Sequence, residues 1–340
     1  MSWKRSAAAA VAVLVAVAMA GVARADPITI KVGWAQAPGH LAPLIEELGK
    51  RHPELLTHLG KSYVMEAVRF KGSTPQIQAL AIDDLQVAAF APSSLALAIT
   101  NAHLDLRVVA DVIQDGHPGY FTQYYVVRAD GPIRGIEDMK GRRVATNAIG
   151  SASDAAMRAM FHKHGIADSD FTTVETNFAD MPAMLEGGKV DLIAVLPQFA
   201  HGVIGNPQYR VLFTARDAVG PTQAVMWAMR ADYIAKHRAA LVDFFEDHIR
   251  AVRWFLEPKN RKEALAIASS VTHIPETSLA YAFTDRDFYR SPDARPDIGA
   301  VQKDIDLDAK LGVIPKSVQV DPHYVDLSLI TEANRRIDGE

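Results

Sequence analysis

The side chains best suited to holding a small polar molecule stand at turns where short apolar, β-branched segments give way to helical spacing. The first turn, Gly33 to His40, offers Trp34 as an aromatic wall, the amide of Gln36 and the imidazole of His40. The second, Lys71-Gly72-Ser73-Thr74, offers the hydroxyls of Ser73 and Thr74, and the third offers Phe90 and Ser93 around Pro92. Further along, the stretch from Asn147 to Asp154 brings Asn147, Gly150, Ser151 and Ser153, and Leu196-Pro197-Gln198-Phe199 brings Gln198. Taken singly, each hydroxyl also suits helix capping. Their coincidence is more telling, because helix N-termini present unpaired N–H groups and a partial positive charge. Both favour carboxylate, sulfonate or phosphate groups. His117 and His40 are placed either to reach a ligand or to serve the structure.

Catalytic and metal-binding patterns do not emerge. The Gly150-Ser151-Ala152-Ser153 turn lacks both the phosphate-loop and the nucleophile-elbow spacing. His162 and His164 are two apart and do not share a helix face. Acid pairs such as Asp83-Asp84 and Asp285 with Asp287 read as solvated faces. The chain contains no cysteine, which excludes disulfides, zinc–thiolate sites and a cysteine nucleophile. The expectation is therefore a binding protein with no catalytic residue, no metal and no cofactor.

The positioning elements alternate. Strands are expected over Ile28–Val32, Tyr63–Phe70, Val87–Ala91 and Leu106–Ile113, with helices between them, the rhythm of an open parallel sheet. A second unit repeats it: strands at Arg142–Thr146, Phe171–Thr176, Val190–Leu196 and Tyr209–Phe213, with helices at Ser153–His164 and Met181–Leu185. Ala224–Met229 alternates again. Beyond Tyr233 the chain turns helical. Leu241, Phe244, Phe245, His248, Ile249, Val252 and Phe255 make one apolar stripe, read as core, and further helices are expected at Ala264–Ser269, Pro275–Phe283 and Ile298–Leu311. Gln114–Thr122 and Thr214–Thr222 look like the two passages between units. In open sheets a ligand sits beyond the carboxyl ends of the strands, so the two mouths would face each other with neutral donors and few charges.

The first 25 residues read as an export signal. Lys4 and Arg5 precede the apolar run Ala7–Ala20, and Ala23-Arg24-Ala25 supplies the cleavage pattern, leaving Asp26 as the mature N-terminus. The run is shorter than the roughly 20 residues of a membrane span. Without Lys4, Arg5 and Arg24 the net charge of −4 becomes −7. An acidic chain with no basic tract is a poor partner for nucleic acid or an anionic membrane. The remaining length exceeds one core and predicts two lobes. The expectation is a periplasmic, non-membrane-embedded monomer.

These residues in this order resemble the periplasmic solute-binding proteins of nitrate, sulfonate and taurine ABC importers, from about Ile28 to Leu329. The likeness includes Ile30-Lys31-Val32-Gly33-Trp34 with Ala42-Pro43-Leu44, and Gln78-Ala79-Leu80 ahead of Val87 to Phe90. It continues through Tyr125 to Asp130, Ile136 to Ala145, the Gly150-Ser151 turn and Leu185-Glu186-Gly187-Gly188-Lys189-Val190-Asp191. The resemblance implies a two-lobed type II periplasmic-binding-protein fold, α/β, with two parallel-rich sheets flanked by helices and C-terminal helices packed mainly on the first lobe. Lobe 1 would take residues 26–117 and 218–340, and lobe 2 residues 118–217. It also implies closure on a small anionic or polar organic solute and delivery to an ABC permease with its ATPase. Pro197 stands where many relatives carry an acid, which disfavours taurine and favours a sulfonate or carboxylate without a cation. A pyrimidine or thiamine precursor, a same-fold enzyme and a ligand sensor are the alternatives.

Overall fold

The computed structural model describes residues 26–339; the expected signal peptide lies outside them. Two sheets organise the chain. The first unit runs β1 (Ile28–Trp34), α1 (Ala42–Arg51), β2 (Tyr63–Arg69), α2 (Gln76–Ala81), β3 (Ala88–Phe90), α3 (Pro92–Thr100) and β4 (Leu106–Asp115). The second runs β5 (Tyr124–Arg128), β6 (Arg143–Thr146), α4 (Ala152–Lys163), β7 (Thr172–Glu175), α5 (Met181–Glu186), β8 (Ile193–Val195), α6 (Pro197–Val203), β9 (Tyr209–Thr214) and α7 (Ala215–Val219). The chain then returns through β10 (Thr222–Arg230) and closes with α8 (Ala231–Leu256), α9 (Arg261–Thr272), α10 (Ile298–Lys310) and α11 (Ser328–Asp338).

The strand order departs from a simple parallel sheet in one instructive way. β1 and β2 pair in parallel, and a parallel bridge from Val32 to Val87 brings in β3. β10, arriving from the other unit, then inserts antiparallel between β3 and β4. The second sheet mirrors this: β6 pairs in parallel with β7, a parallel bridge joins Val144 to Leu192 ahead of β8, and β5 inserts antiparallel between β8 and β9. Each sheet thus receives the strand that has just crossed over. Hydrophobic periodicity marks a strand but not its neighbours, and β4 lies one strand away from β3 with β10 between them.

Local sequence accounts for the elements next to the cleft. Pro92 opens α3, where its missing N–H costs nothing. Ser151 caps α4 by accepting from the Asp154 N–H at 3.4 Å. The stripe of α8 is buried as expected, with Leu241, Phe244, Phe245, Ile249, Val252 and Phe255 in the core. Pro275–Phe283 is a chain of turns rather than a helix. Positive φ at His273 and Phe283 bounds it on either side and breaks the helical path. Among the described residues no helix is long and apolar enough to cross a membrane.

The two passages between lobes pack against each other. Arg216 Nε donates to Gly116 O at 3.2 Å, and its Nη2 donates to His117 O and Tyr120 O at 3.1 and 3.3 Å. Gly116 has φ +72, and a Cβ there would stand 3.2 Å from Gly220 O, so the crossing needs glycine for both reasons.

Candidate functional site

Between the two sheets lies a cleft of about 990 Å³, including the space open at its mouth. The turns after β1, β2 and β3 supply Gln36, His40, Ser73 and Ser93, and the second lobe supplies Asn147, Ser151, Ser153 and Gln198. Apolar walls come from Ile113, Phe178, Leu196, Val225 and Phe288.

The lobes meet directly at one rim. Ser93 Oγ and Ser94 Oγ donate to Gly150 O at 3.0 and 2.7 Å, and Thr74 Oγ1 donates to Ile149 O at 2.8 Å. Asn147 Nδ2 donates to Lys71 O at 2.9 Å, and Gln198 reaches Gln36 at 3.4 Å. A Cβ on Gly72 would come within 2.6 Å of Asn147 Nδ2 and 2.9 Å of Ala148 Cβ. Part of the hydroxyl chemistry expected for a ligand is therefore spent on lobe-to-lobe contact.

Five expected ligand residues lie elsewhere. Thr74 and Gly150 belong to that rim contact. Trp34 lies half-buried beneath Arg69, whose guanidinium is 5.6 Å from the ring. Phe90 is fully buried and packs into the core behind β3. His117 stacks on Tyr289 at 4.0 Å between ring centroids. For Trp34, Phe90 and His117 the side chain packs against neighbours outside the cleft lining.

The lining also holds residues that sequence reading missed. Gln123 is one; it accepts from Ser153 Oγ at 2.7 Å and donates to the Tyr125 hydroxyl at 2.8 Å. Four more are carboxylates: Asp115, Asp287, Asp304 and Asp308. Asp287, read from sequence as solvated, is 1% exposed and pairs with Arg290 at 3.0 Å. Asp304 and Asp308 come from α10. A signal existed, since both share the buried face of that helix with Val301 and Ile305. No lysine or arginine lines the cleft among the described residues. Two of these acids have a counter-charge beside them, Arg290 at Asp287 and Lys303 at Asp304, so the solute expected from the sequence to be anionic meets acids that are partly neutralised and no basic side chain in the lining itself.

Burial sets the titration of these groups. It raises Asp115 to about 6 and Asp304 to about 6, the latter against a hydrogen bond from Thr222 and the nearby Lys303 charge. Burial, with the charges of Asp304 and Asp154 adding, pushes Asp308 up to about 8. His40 moves the other way, down to about 3, through burial and the Arg290 charge, so it is neutral at ordinary pH. Its Nδ1 is buried with no hydrogen-bond partner among the described residues.

An acid whose folded pKa is raised holds its proton more tightly than the unfolded chain does. Its contribution is full below the unfolded value near 4 and is lost as pH rises through the folded value. For Asp308 this loss runs from about pH 4 to about pH 8. Asp308→Asn removes it, with a slope of at most about 1.4 kcal/mol per pH unit. The variant is expected to match the parent near pH 4 and to unfold at a higher temperature by pH 8. Equal thermal midpoints across that range would contradict the burial of an ionisable Asp308.

A family model described as NMT1/THI5 like matches residues 65–260. No curated protein matches the chain. Among solved structures, the chain is similar to the alkanesulfonate-binding protein SsuA from Xanthomonas axonopodis pv. citri bound to MOPS. That likeness has 20% identity and a TM-score of 0.67, covering 88% of this chain and 98% of that one. It is also similar to the periplasmic nitrate-binding protein NrtA from Synechocystis PCC 6803, with 13% identity, TM-score 0.68, and 92% and 90% coverage. The desulfurization enzyme DSZB shares the fold too, at 12% identity, TM-score 0.61, and 91% and 99% coverage. The family match spans more than half of the sequence, and the strand order, with each crossing strand inserted antiparallel, is common to both lobes: the chain belongs to the NMT1/THI5-like family and has the two-lobed periplasmic-binding-protein fold.

Proposed function

We propose that the protein is the periplasmic solute-binding component of an ABC importer, closing its two lobes on a small polar organic solute and presenting it to a membrane permease with its ATPase. The lobes in this reading are residues 26–117 with 218–340, and 118–217. The observation that carries it is the cleft itself: a polar and apolar lining drawn from both lobes, with a rim where glycines allow the lobes to touch. Two crossovers pinned by Arg216 supply a hinge. The likeness to SsuA and NrtA, described as binding alkanesulfonate and nitrate, supports the same reading. Of the expected solute chemistry, polar stands on the lining residues; anionic finds no basic partner there.

The test is thermal unfolding of the exported protein against nitrate, taurine, alkyl and aryl sulfonates, aromatic carboxylates, pyrimidines and organic amines. A solute at a hundred times its dissociation constant adds about 2.7 kcal/mol of stability, a shift of a few degrees for a chain of this size. A saturable shift with one class is the expected result. A flat response to every class, together with no small molecule released on denaturing the purified protein, would overturn the reading.

A further inference from the structure

The acids of α10 are a strange lining for a cleft whose other polar groups are hydroxyls and amides. Asp304 and Asp308 stand one helical turn apart, 5% and 4% exposed, and both line the cleft. Asp304 is partly provided for: Thr222 donates its hydroxyl to Oδ2, and the Lys303 ammonium lies 3.5 Å from Oδ1. That ammonium also donates to Val219 O at 3.1 Å and to Pro221 O, and Oδ1 has no hydrogen-bond partner among the described residues. Asp308 has neither a hydrogen bond nor an ion pair to its carboxylate among the described residues; burial and the Asp304 and Asp154 charges are what act on it. The charged groups around the pair are Asp154 on α4, itself paired with Arg158 at 2.8 Å, Asp297 at the start of α10, and Lys303. One lysine therefore faces two buried acids.

Retaining a buried, unpaired carboxylate costs several kcal/mol unless something neutralises it. A proton can do so, and so can a ligand that brings positive charge with N–H donors. Apolar walls from Phe178, Phe288 and Val225 in the same cleft suit the body of such a ligand.

We propose that Asp304 and Asp308 form a cation-recognition subsite, and that the solute carries a protonated nitrogen, an ammonium or amidinium group on an apolar or aromatic body. This rests on the reading of the cleft as a solute site. The carboxylates accept the N–H donors of the ligand, and the ligand supplies the charge that the fold withholds.

Three probes on one phenylethyl body separate the possibilities: 2-phenylethylamine, 2-phenylethanol and 3-phenylpropionate. Binding is measured by titration calorimetry and ligand-observed NMR at pH 9, where Asp308 is ionised and an alkylamine is still protonated. The amine is expected to bind at least about tenfold more tightly than the alcohol or the carboxylate, about 1.4 kcal/mol. Asp304→Asn with Asp308→Asn is expected to abolish the preference. Both changes keep side-chain shape and remove buried charge; if the double variant does not fold, Asp308→Asn alone carries the comparison. At pH 7 the heat of amine binding should also vary with the ionisation enthalpy of the buffer, because Asp308 releases its proton on pairing. Equal affinities, a preference for the carboxylate, or no amine binding at millimolar concentration overturns the cation subsite. A sulfonate that binds the parent and the double variant alike would overturn it while leaving the solute-binding reading intact.

Discussion

Replacing Arg290 by methionine is expected to lower the unfolding free energy by about 3–5 kcal/mol, because it strands the buried Asp287 carboxylate without its counter-charge. The arginine also holds the first turn of the cleft. Its Nε and Nη2 donate to Gly39 O at 3.2 and 3.1 Å, and Nη2 donates to Pro38 O at 3.3 Å. A residue from the C-terminal segment, some 250 positions away, thus fixes the loop that carries Gln36 and His40. Methionine fills similar volume, so the loss reflects charge and hydrogen bonds rather than a cavity. Urea unfolding measures it. Adding Asp287→Asn should recover part of the loss, since the orphaned charge goes. A change below about 1 kcal/mol in the single variant would show that the pair is dispensable.

The second large effect concerns closure. Gly72→Ala places a Cβ 2.9 Å from Ala148 Cβ of the opposite lobe. Asn147, at 2.6 Å, can swing its amide aside, but Ala148 has no other rotamer to adopt. The φ of Gly72 is one that any residue can take, so the substitution penalises lobe contact and not the local backbone. Overpacking of this kind costs about 1–3 kcal/mol, which corresponds to about a 5- to 150-fold loss of affinity for a solute that binds by closure. The free protein should unfold within about 0.5 kcal/mol of the parent, and small-angle scattering with solute present should give a larger radius of gyration. Unchanged affinity would show that the rim contact plays no part in capture. Gly150→Ala meets Thr74 Oγ1 at 3.0 Å but also forces a side chain into φ +76, so it would destabilise both forms and discriminate less well.

Much of the architecture was legible because it rests on local rules. The alternation of Ile28 to Val32, the apolar run at Val87 to Ala91 and the α8 stripe each state their own period, and each became the expected element. Ser73, Ser93, Asn147 and Ser151 reached the cleft because strand-to-helix turns gather at the carboxyl ends of strands whatever the neighbours. Phe90 and His117 are placed away from the cleft lining for a different reason. Whether an aromatic at a turn faces a cleft or a core depends on the packing of the opposite layer, and in this protein that layer comes from remote segments such as Met226, Val301 and Tyr289.

The sequence by itself determined the class of fold, the two-lobed division expected from length and alternation, and the donor-rich turns. The charge of the cleft was decided only by tertiary structure. Asp304 and Asp308 are ordinary acids on an ordinary helix until α10 packs against α3, α4 and β10 and turns their shared face inward. Asp115 and Asp287 become lining residues only once the crossover and the C-terminal turns meet. Helix propensity and hydrophobic period act over a few residues, whereas the sign of a cavity sums groups from distant parts of the chain. That sum exists only when the chain has folded.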